Sequence, residues 1–128
     1  PPSLSLLTVN ALVAAEAVII PVQCEYLALE GLGQLVQTLN RVRTAMHQSL
    51  NVRGVVMTMF DSRATLSNQV VAEVRKHFPG KVFNSIIPRS VRLAEAPSHG
   101  LPISAYAPSS AGGQAYRALA EELLKGDR

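Results

Sequence analysis

Three arginines occupy positions where a folded chain can present them to an anion. Arg89 and Arg92 follow an apolar run at residues 82–87, and Arg63 follows another at residues 52–60. Such runs are typical of buried parallel strands, and in an open α/β sheet ligands bind outside the carboxyl ends of the strands. Because a planar guanidinium can donate two hydrogen bonds to one phosphate, the pattern predicts a nucleotide or phosphate-backbone site there.

The arginine-bearing stretch at residues 88–102 is also stiffened by its composition. Pro88, Pro97 and Pro102 each fix one backbone angle, so the sequence predicts a long loop with a set course. A structural turn is the ordinary alternative for the proline-rich stretch. For Arg63 the alternative is a solvated side chain beside a helix that Ser62 or Thr65 would cap.

Other catalytic or metal chemistry finds little support in the chain. The three histidines are scattered, and the single cysteine, Cys24, has no neighbours at metal-ligand spacing. Glu95, Ser98 and His99 lie close in sequence but lack the sharp turn of a hydrolase nucleophile. No glycine pair is followed by the lysine of a phosphate loop. We therefore predict neither a metal site nor a catalytic residue within this sequence.

Composition indicates one globular domain that spans residues 1–128. Apolar residues make up 48% of the chain and charged residues 16%, and the net charge is +3. Residues 61–95 hold six basic and three acidic side chains, a balance that attracts a polyanion, although an ordinary solvated face has the same composition. The longest apolar run, at residues 11–22, contains Glu16 and is too short to span a bilayer.

Hydrophobic periodicity predicts an α/β fold with three layers, in which helices flank a mostly parallel sheet. Helices are expected at residues 4–14, 29–46, 66–78 and 116–124, and strands at residues 17–22, 52–60 and 82–87. Pro21 is expected to end the first strand, and a short fourth strand is expected at residues 103–106.

Four ordered segments carry a family resemblance. They are PPSLSLLTVNAL at residues 1–12, PVQCEYLALEGL at 21–32, GVVMTMFDSR at 54–63 and IPRSVRLAEAPSHG at 87–100. Together they closely resemble the ParA/Soj-type partitioning ATPases, a deviant-Walker branch of the P-loop NTPases that also includes MinD. Because the phosphate loop is absent, the chain resembles the C-terminal half of such an ATPase.

The resemblance implies a function for the intact parent protein. Such a protein binds ATP and Mg²⁺, forms a homodimer and binds DNA non-specifically, and a ParB/Spo0J-type partner stimulates hydrolysis during chromosome or plasmid segregation. It implies a cytoplasmic, nucleoid-associated protein that does not enter a membrane. These 128 residues alone are expected not to hydrolyse ATP, because no phosphate loop is present.

The resemblance also implies roles for particular residues. Thr58, Met59, Pro88 and Arg89 are expected to wall the adenine pocket, and Arg63 and Arg92 are implied DNA contacts. The segment at residues 23–30 is implied to lie near the nucleotide and the dimer face, although an ordinary first turn of a helix explains it equally well. The alternative function is a non-enzymatic α/β module that binds a partner protein or an anion.

Overall fold

Helices and strands alternate along residues 5–126, the part of the chain that the computed structural model describes. In chain order the elements are α1 (Leu6–Ala14), β1 (Ala17–Gln23), α2 (Ala28–Ala45), β2 (Asn51–Phe60), α3 (Thr65–His77), β3 (Val82–Pro88), α4 (Val91–Glu95), a 3₁₀ turn (Ala96–His99), α5 (Ile103–Tyr106) and α6 (Ala111–Gly126). Seven elements were predicted from periodicity, with differences at their ends of which the largest is the five-residue earlier start of α6, while residue 4 of the first expected helix lies outside the described range.

The three strands form one parallel sheet in the order β1-β2-β3. Helix α2 connects β1 to β2, and α3 connects β2 to β3, as parallel strands require. Val55 and Met57 of the central strand are fully buried, because β2 has a neighbouring strand on each side and helices over the sheet. The predicted α/β fold with a parallel sheet and flanking helices is confirmed.

Apolar side chains fill the space on both faces of the sheet, but not to the same extent. The larger cluster lies between the sheet and helices α2 and α3, and its buried members are Ile20, Val22, Cys24, Leu32, Leu39, Val42, Leu50, Val55, Met57, Val70, Val71 and Val74. The smaller cluster lies beneath α6 and consists of Val56, Phe83, Ile87 and Leu119. Helix α6 therefore covers β2 and β3, which leaves the α6 face of β1 more exposed.

A carboxylate on α6 fastens that helix to the outer strand. Glu122 accepts hydrogen bonds from the backbone N–H groups of Asn84 (2.7 Å) and Ser85 (3.0 Å) and from the Ser85 hydroxyl (2.9 Å). The pairing of β2 with β3 is irregular here, since Val55 pairs with Val82 and Met57 with Ile86. The extra residues of β3 thus have their amides satisfied by a side chain rather than by a neighbouring strand.

The expectation that Pro21 ends the first strand is wrong. Pro21 lies inside β1, opposite Val56 in the register. Within the described residues β1 pairs with β2 alone, so it is an edge strand. A proline, which has no N–H group, is tolerated where that group would face the unpaired edge.

The expected fourth strand at residues 103–106 is also wrong, since Ile103–Tyr106 is the short helix α5. The backbone N–H groups of Ala105 and Tyr106 donate to the Pro102 carbonyl oxygen, at 3.0 and 2.9 Å. Local helical hydrogen bonds prevail over the β-branched and aromatic composition.

The stretch at residues 88–102 is more regular than the long loop expected from its prolines. It contains α4 and the 3₁₀ turn, and Ser90 begins α4 by accepting a hydrogen bond from the Leu93 N–H (3.4 Å). Gly100 ends the turn with φ of +66°, a left-handed conformation that glycine adopts without steric cost. The set course that the sequence predicted is therefore produced by helical turns as well as by prolines.

Candidate functional site

The carboxyl ends of β2 and β3 lie side by side and bring the predicted nucleotide residues together. Phe60 pairs with Pro88, and the Arg89 backbone N–H donates to the Phe60 carbonyl oxygen at 2.8 Å. Thr58 and Met59 precede this contact on β2. The two segments are thus joined by backbone hydrogen bonding, which makes their spacing independent of flexible side chains.

A cavity of about 630 Å³ opens at this end of the sheet, and we name it the sheet-end cavity. Its lining residues are Pro21, Gln23, Thr58, Met59, Ile87, Pro88, Arg89, Ser90, Val91, Leu93, Ala94 and Tyr116. All four residues predicted for the adenine pocket are among them. Its walls are mostly apolar, which is the usual character of a site for a flat, neutral ring system.

Met59, which lines the sheet-end cavity, has an unusual backbone conformation. Its φ is +55°, and within the described residues it is the one non-glycine residue with positive φ. A left-handed conformation costs a residue with a Cβ atom about 1–2 kcal/mol, so the surrounding structure must enforce it. Strain of this kind is concentrated at binding sites, and periodicity arguments give no sign of it.

Two residues that line the sheet-end cavity, Gln23 and Tyr116, were not among the four predicted for the adenine pocket. Gln23 belongs to the segment for which a nucleotide role and an ordinary helix start were equally good readings, and it ends β1 beside the cavity. Tyr116 is the first residue of the helix expected at residues 116–124, and its partly exposed side chain reaches the cavity from α6. The one feature of the sequence that could have drawn attention to Tyr116 is that tyrosine occurs only three times in the chain.

A second concave surface, of about 430 Å³, lies between the segments that follow β2 and β3, and we name it the β2–β3 cleft. It is lined by Phe60, Asp61, Ser62, Arg63, Pro88, Arg89 and Val91. Arg63 and Arg89 therefore share one surface. Arg92 lines neither this cleft nor the sheet-end cavity, but it is exposed on α4, the helix that borders both.

Arg63 is held at the cleft by its own segment. Its backbone N–H and its Nε both donate to Oδ1 of Asp61, at 3.0 and 3.3 Å, while its side chain stays 90% exposed. These hydrogen bonds from Arg63 hold the pKa of Asp61 below its usual value, with a smaller contribution from the charge of Arg89. The expected capping is wrong: Ala64, not Ser62 or Thr65, stands at the start of α3, and Ser67 accepts a hydrogen bond from the Asp61 N–H (3.2 Å).

Helix α4 is braced from the far end of its segment. The Tyr106 hydroxyl donates to Oε2 of Glu95 at 2.7 Å, and the Tyr106 ring stacks on His99 with centroids 4.8 Å apart. The hydrogen bond with Glu95 raises the pKa of Tyr106, and the nearby charge of Arg92 opposes part of that effect. Arg92 thus lies on a helix whose C-terminal end is held in place through Glu95.

Two glycines of α6 bring that helix close to the α4 segment. A Cβ atom at Gly112 would lie 2.6 Å from Cγ of Leu93, and one at Gly113 would lie 2.6 Å from the carbonyl oxygen of Ala107. A larger residue at Gly113 would collide with backbone and displace the start of α6, whereas one at Gly112 would force the Leu93 side chain, which lines the sheet-end cavity, to move. These glycines, which lead to no phosphate loop, have a packing role.

The carboxyl end of β1 carries a third concave surface, of about 920 Å³, with an apolar lining. Tyr26 is 83% exposed there, and Leu27 and Leu66 are exposed beside it. Among residues 5–126 no group of three or more histidine, cysteine, aspartate or glutamate side chains could hold a metal ion. No helix within the same range has both the length and the apolar character needed to cross a lipid bilayer.

Comparison with known proteins identifies the relatives of this chain. A family model described as an AAA domain matches residues 1–52. The chain is 52% identical over 128 residues to the chromosome partitioning protein ParA of Caulobacter vibrioides, and 54% identical over 123 residues to the sporulation initiation inhibitor protein Soj of Bacillus subtilis. By sequence, the chain belongs to the ParA/Soj family of partitioning ATPases. The expected family membership is confirmed.

The chain matches the ParA/Soj relatives over only part of their length. The alignments cover 100% and 96% of this chain but 48% and 49% of the Caulobacter and Bacillus proteins. The chain therefore spans about half the length of the curated relatives it matches.

Solved structures agree with the ParA/Soj assignment at the level of fold. The cobyrinic acid a,c-diamide synthase of Mycobacterium smegmatis, crystallised with an ATP analogue and magnesium, is 35% identical with a TM-score of 0.80 over 100% of this chain and 46% of that one. The same enzyme with ADP and magnesium gives a TM-score of 0.76 at 36% identity, over 98% of this chain and 44% of that one. The sheet and helices of this chain are thus those of a P-loop NTPase fold.

Proposed function

We propose that these residues form the C-terminal half of a ParA-type ATPase that segregates chromosomes or plasmids. The intact ATPase, meaning the protein that joins these residues to a phosphate loop, binds ATP and Mg²⁺, dimerises and then binds DNA non-specifically in the cytoplasm at the nucleoid. A ParB-type partner stimulates hydrolysis. The observation that carries the proposal is identity of 52% along the whole chain to a protein named for chromosome partitioning.

For nucleotide binding, we propose that the sheet-end cavity receives the adenine base. Thr58, Met59, Pro88 and Arg89 line it together, its walls are mostly apolar, and its position at the carboxyl ends of parallel strands is the usual one for a ligand. When bound, ATP with Mg²⁺ supplies the phosphoanhydride bond that is hydrolysed. These residues fit the base and leave the phosphates to a loop outside this sequence.

For DNA binding, we propose phosphate contacts from Arg63 and Arg92. Both side chains are exposed, and both follow strands of the same sheet edge, so they can meet one backbone. Asp61 accepts hydrogen bonds from the backbone N–H and from Nε of Arg63, and the second of these restricts the side chain and reduces the conformational entropy lost when the guanidinium binds. Contacts of this type position a protein without reading sequence.

The first experiment sequences the gene upstream of the codon for Pro1 and compares two purified proteins. We expect a strand, a glycine- and lysine-rich phosphate loop and an aspartate ahead of Pro1. The intact ATPase should release phosphate from ATP with Mg²⁺, whereas the 128-residue chain should not exceed background. A start codon close before the codon for Pro1, or turnover by the short chain alone, would remove the proposal.

The second experiment tests the DNA surface in the intact ATPase saturated with ATP. Arg63→Gln and Arg92→Gln should each weaken binding to all DNA sequences equally and lower the slope of log affinity against log salt by about one. Their affinity for ATP should match that of the unchanged protein. A loss confined to one preferred DNA sequence would contradict the assignment.

The third experiment tests the base site through Pro88. Pro88→Gly frees the backbone at the exit of β3, so the dissociation constant for ATP should rise while the thermal midpoint falls only modestly. A purely structural turn would give the opposite pattern, with reduced stability and unchanged ATP affinity. That result would withdraw Pro88 from the proposed site.

A second candidate function is a non-enzymatic α/β module that binds a partner protein. The exposed apolar surface around Tyr26 and Leu27 at the start of α2 favours it, because large exposed patches mark interaction sites. The upstream gene sequence separates the two candidates. If no phosphate loop is encoded, this surface becomes the leading site.

A further inference from the structure

Arg89 lies on the boundary between the two concave surfaces at the sheet end. It lines the sheet-end cavity and also the β2–β3 cleft, where Arg63 is found. Its backbone N–H is bonded to Phe60, which fixes the start of the side chain. The side chain is exposed, and among residues 5–126 no hydrogen bond uses its guanidinium.

The charge balance of the β2–β3 cleft favours an anion. Its lining holds the cations Arg63 and Arg89 and one carboxylate, Asp61, which leaves a net positive charge. The carboxylate is already engaged by the N–H and Nε of Arg63. Arg89 is close enough to lower the pKa of Asp61 further, so its field acts within the cleft.

The chemistry of the two possible ligands differs. An adenine base is neutral and gives a guanidinium no opposite charge, whereas a phosphodiester offers oxygens that an arginine can bind in pairs. We propose that the Arg89 side chain, together with Arg63, binds a phosphate of the DNA backbone, so that the β2–β3 cleft is a phosphate subsite. This inference rests on the proposed DNA-binding function and extends it to a residue that the family resemblance had placed at the nucleotide.

The test uses the intact ATPase, saturated with ATP, and a labelled duplex of arbitrary sequence across a series of salt concentrations. Arg89→Gln should lower the slope of log affinity against log salt by about one, because one phosphate contact is lost. Arg41→Gln is the matched control. Arg41 is an exposed residue near the C-terminal end of α2, it lines neither concave surface, and its loss changes the net charge by the same amount. The control should keep the slope.

Three further measurements fix the interpretation. Arg89→Lys keeps the charge and should restore most of the slope, and the double variant Arg63→Gln with Arg89→Gln should lower it by about two. The dissociation constant for ATP is measured on the same variants, so that a loss of DNA binding caused by incomplete ATP saturation is recognised. Thermal melting verifies that each variant is folded.

Each outcome decides the proposal. If Arg89→Gln keeps the slope of the Arg41→Gln control while Arg63→Gln lowers it, Arg89 is not a phosphate contact and the DNA-binding function stands. If ATP affinity falls and the slope is unchanged, the Arg89 side chain belongs to the nucleotide site. If Arg63→Gln and Arg92→Gln also keep the slope, the proposed DNA surface fails as a whole.

Discussion

The two faces of the sheet are built differently. On one face α2 and α3 bury an apolar cluster to which β1, β2 and both helices contribute. On the other face α6 covers a cluster of four buried residues over β2 and β3, and Ile19 of β1 remains 39% exposed. One face therefore holds the larger buried cluster, and the other, which we call the open face, is covered over a smaller area.

The difference separates stability from binding within one small fold. The sheet-end cavity opens on the α6 side, between β1, α4 and α6, where the packing leaves space. The α2/α3 face also opens, at the apolar surface around Tyr26 and Leu66, but two long helices cover the middle of the sheet there. We expect changes within the buried cluster under α2 and α3 to act on folding, and changes on the open face to act more on the sheet-end cavity.

The largest expected effect compares one leucine on each face. Leu39 on α2 is 1% exposed and Leu119 on α6 is 8% exposed. Leu39→Ala should lower the free energy of unfolding by about 4 kcal/mol and Leu119→Ala by about 2–3 kcal/mol, since the cost grows with the cavity that is left. Urea unfolding monitored by circular dichroism measures both values.

Because the two substitutions remove the same atoms, their difference reports only the surroundings. Equal losses, or a greater loss for Leu119→Ala, would break the comparison of the two faces. The two free energies of unfolding can be compared only if the denaturant slope is the same in both variants.

A smaller effect is expected from the polar clasp on the open face. Glu122→Gln replaces one acceptor oxygen by an amide that faces a donor, so stability at pH 7 should fall by about 2 kcal/mol. Burial raises the pKa of Glu122, but hydrogen bonds from Asn84 and Ser85 and the charge of Lys81 outweigh it and leave the pKa below its ordinary value.

The lowered pKa of Glu122 gives the effect a pH dependence of known sign. A carboxyl with a depressed pKa in the folded state contributes stability above its unfolded value of about 4.3, and loses it as the pH falls through the folded value. The gap between wild type and Glu122→Gln should thus be full above about pH 5 and shrink at more acidic pH. Glu121→Gln, on the exposed side of α6, is the control and should show no such gap.

The smallest effect is expected where the open face is uncovered. Ile19→Thr keeps the β-branched shape and places a hydroxyl at a partly exposed position, so stability should change by less than about 0.5 kcal/mol. Thermal unfolding of the 128-residue chain measures it. A loss comparable to that of Leu119→Ala would show that another layer covers β1 in solution.

Much of the fold could be predicted because the apolar residues of each main helix or strand follow the spacing typical of that element. Leucines and valines spaced by three and four residues predicted α2 and α3, and unbroken apolar runs predicted β2 and β3. The strand predicted at residues 103–106 was wrong, because a short apolar run fits a strand as well as a helix. The clasp of Glu122 on the edge of β3 is a long-range contact that no local pattern reveals.

The candidate site was predictable only through resemblance. Spacing and residue type placed Arg63 and Arg89 at strand ends, but they gave no reason to prefer Thr58 or Met59 over their neighbours. The left-handed backbone of Met59 and the shared position of Arg89 depend on how two strand ends meet. The assigned roles of all these residues stay predictions until the variants are measured.

The clasp on β3 has a consequence for amide hydrogen exchange. In most sheets a strand amide is shielded by its neighbouring strand, but here the amides of Asn84 and Ser85 are bound by a residue nearly forty positions later in the chain. Their protection therefore reports the docking of α6 rather than the pairing of strands. During folding these two amides become slow to exchange only after the last helix has arrived, however early the sheet itself has formed.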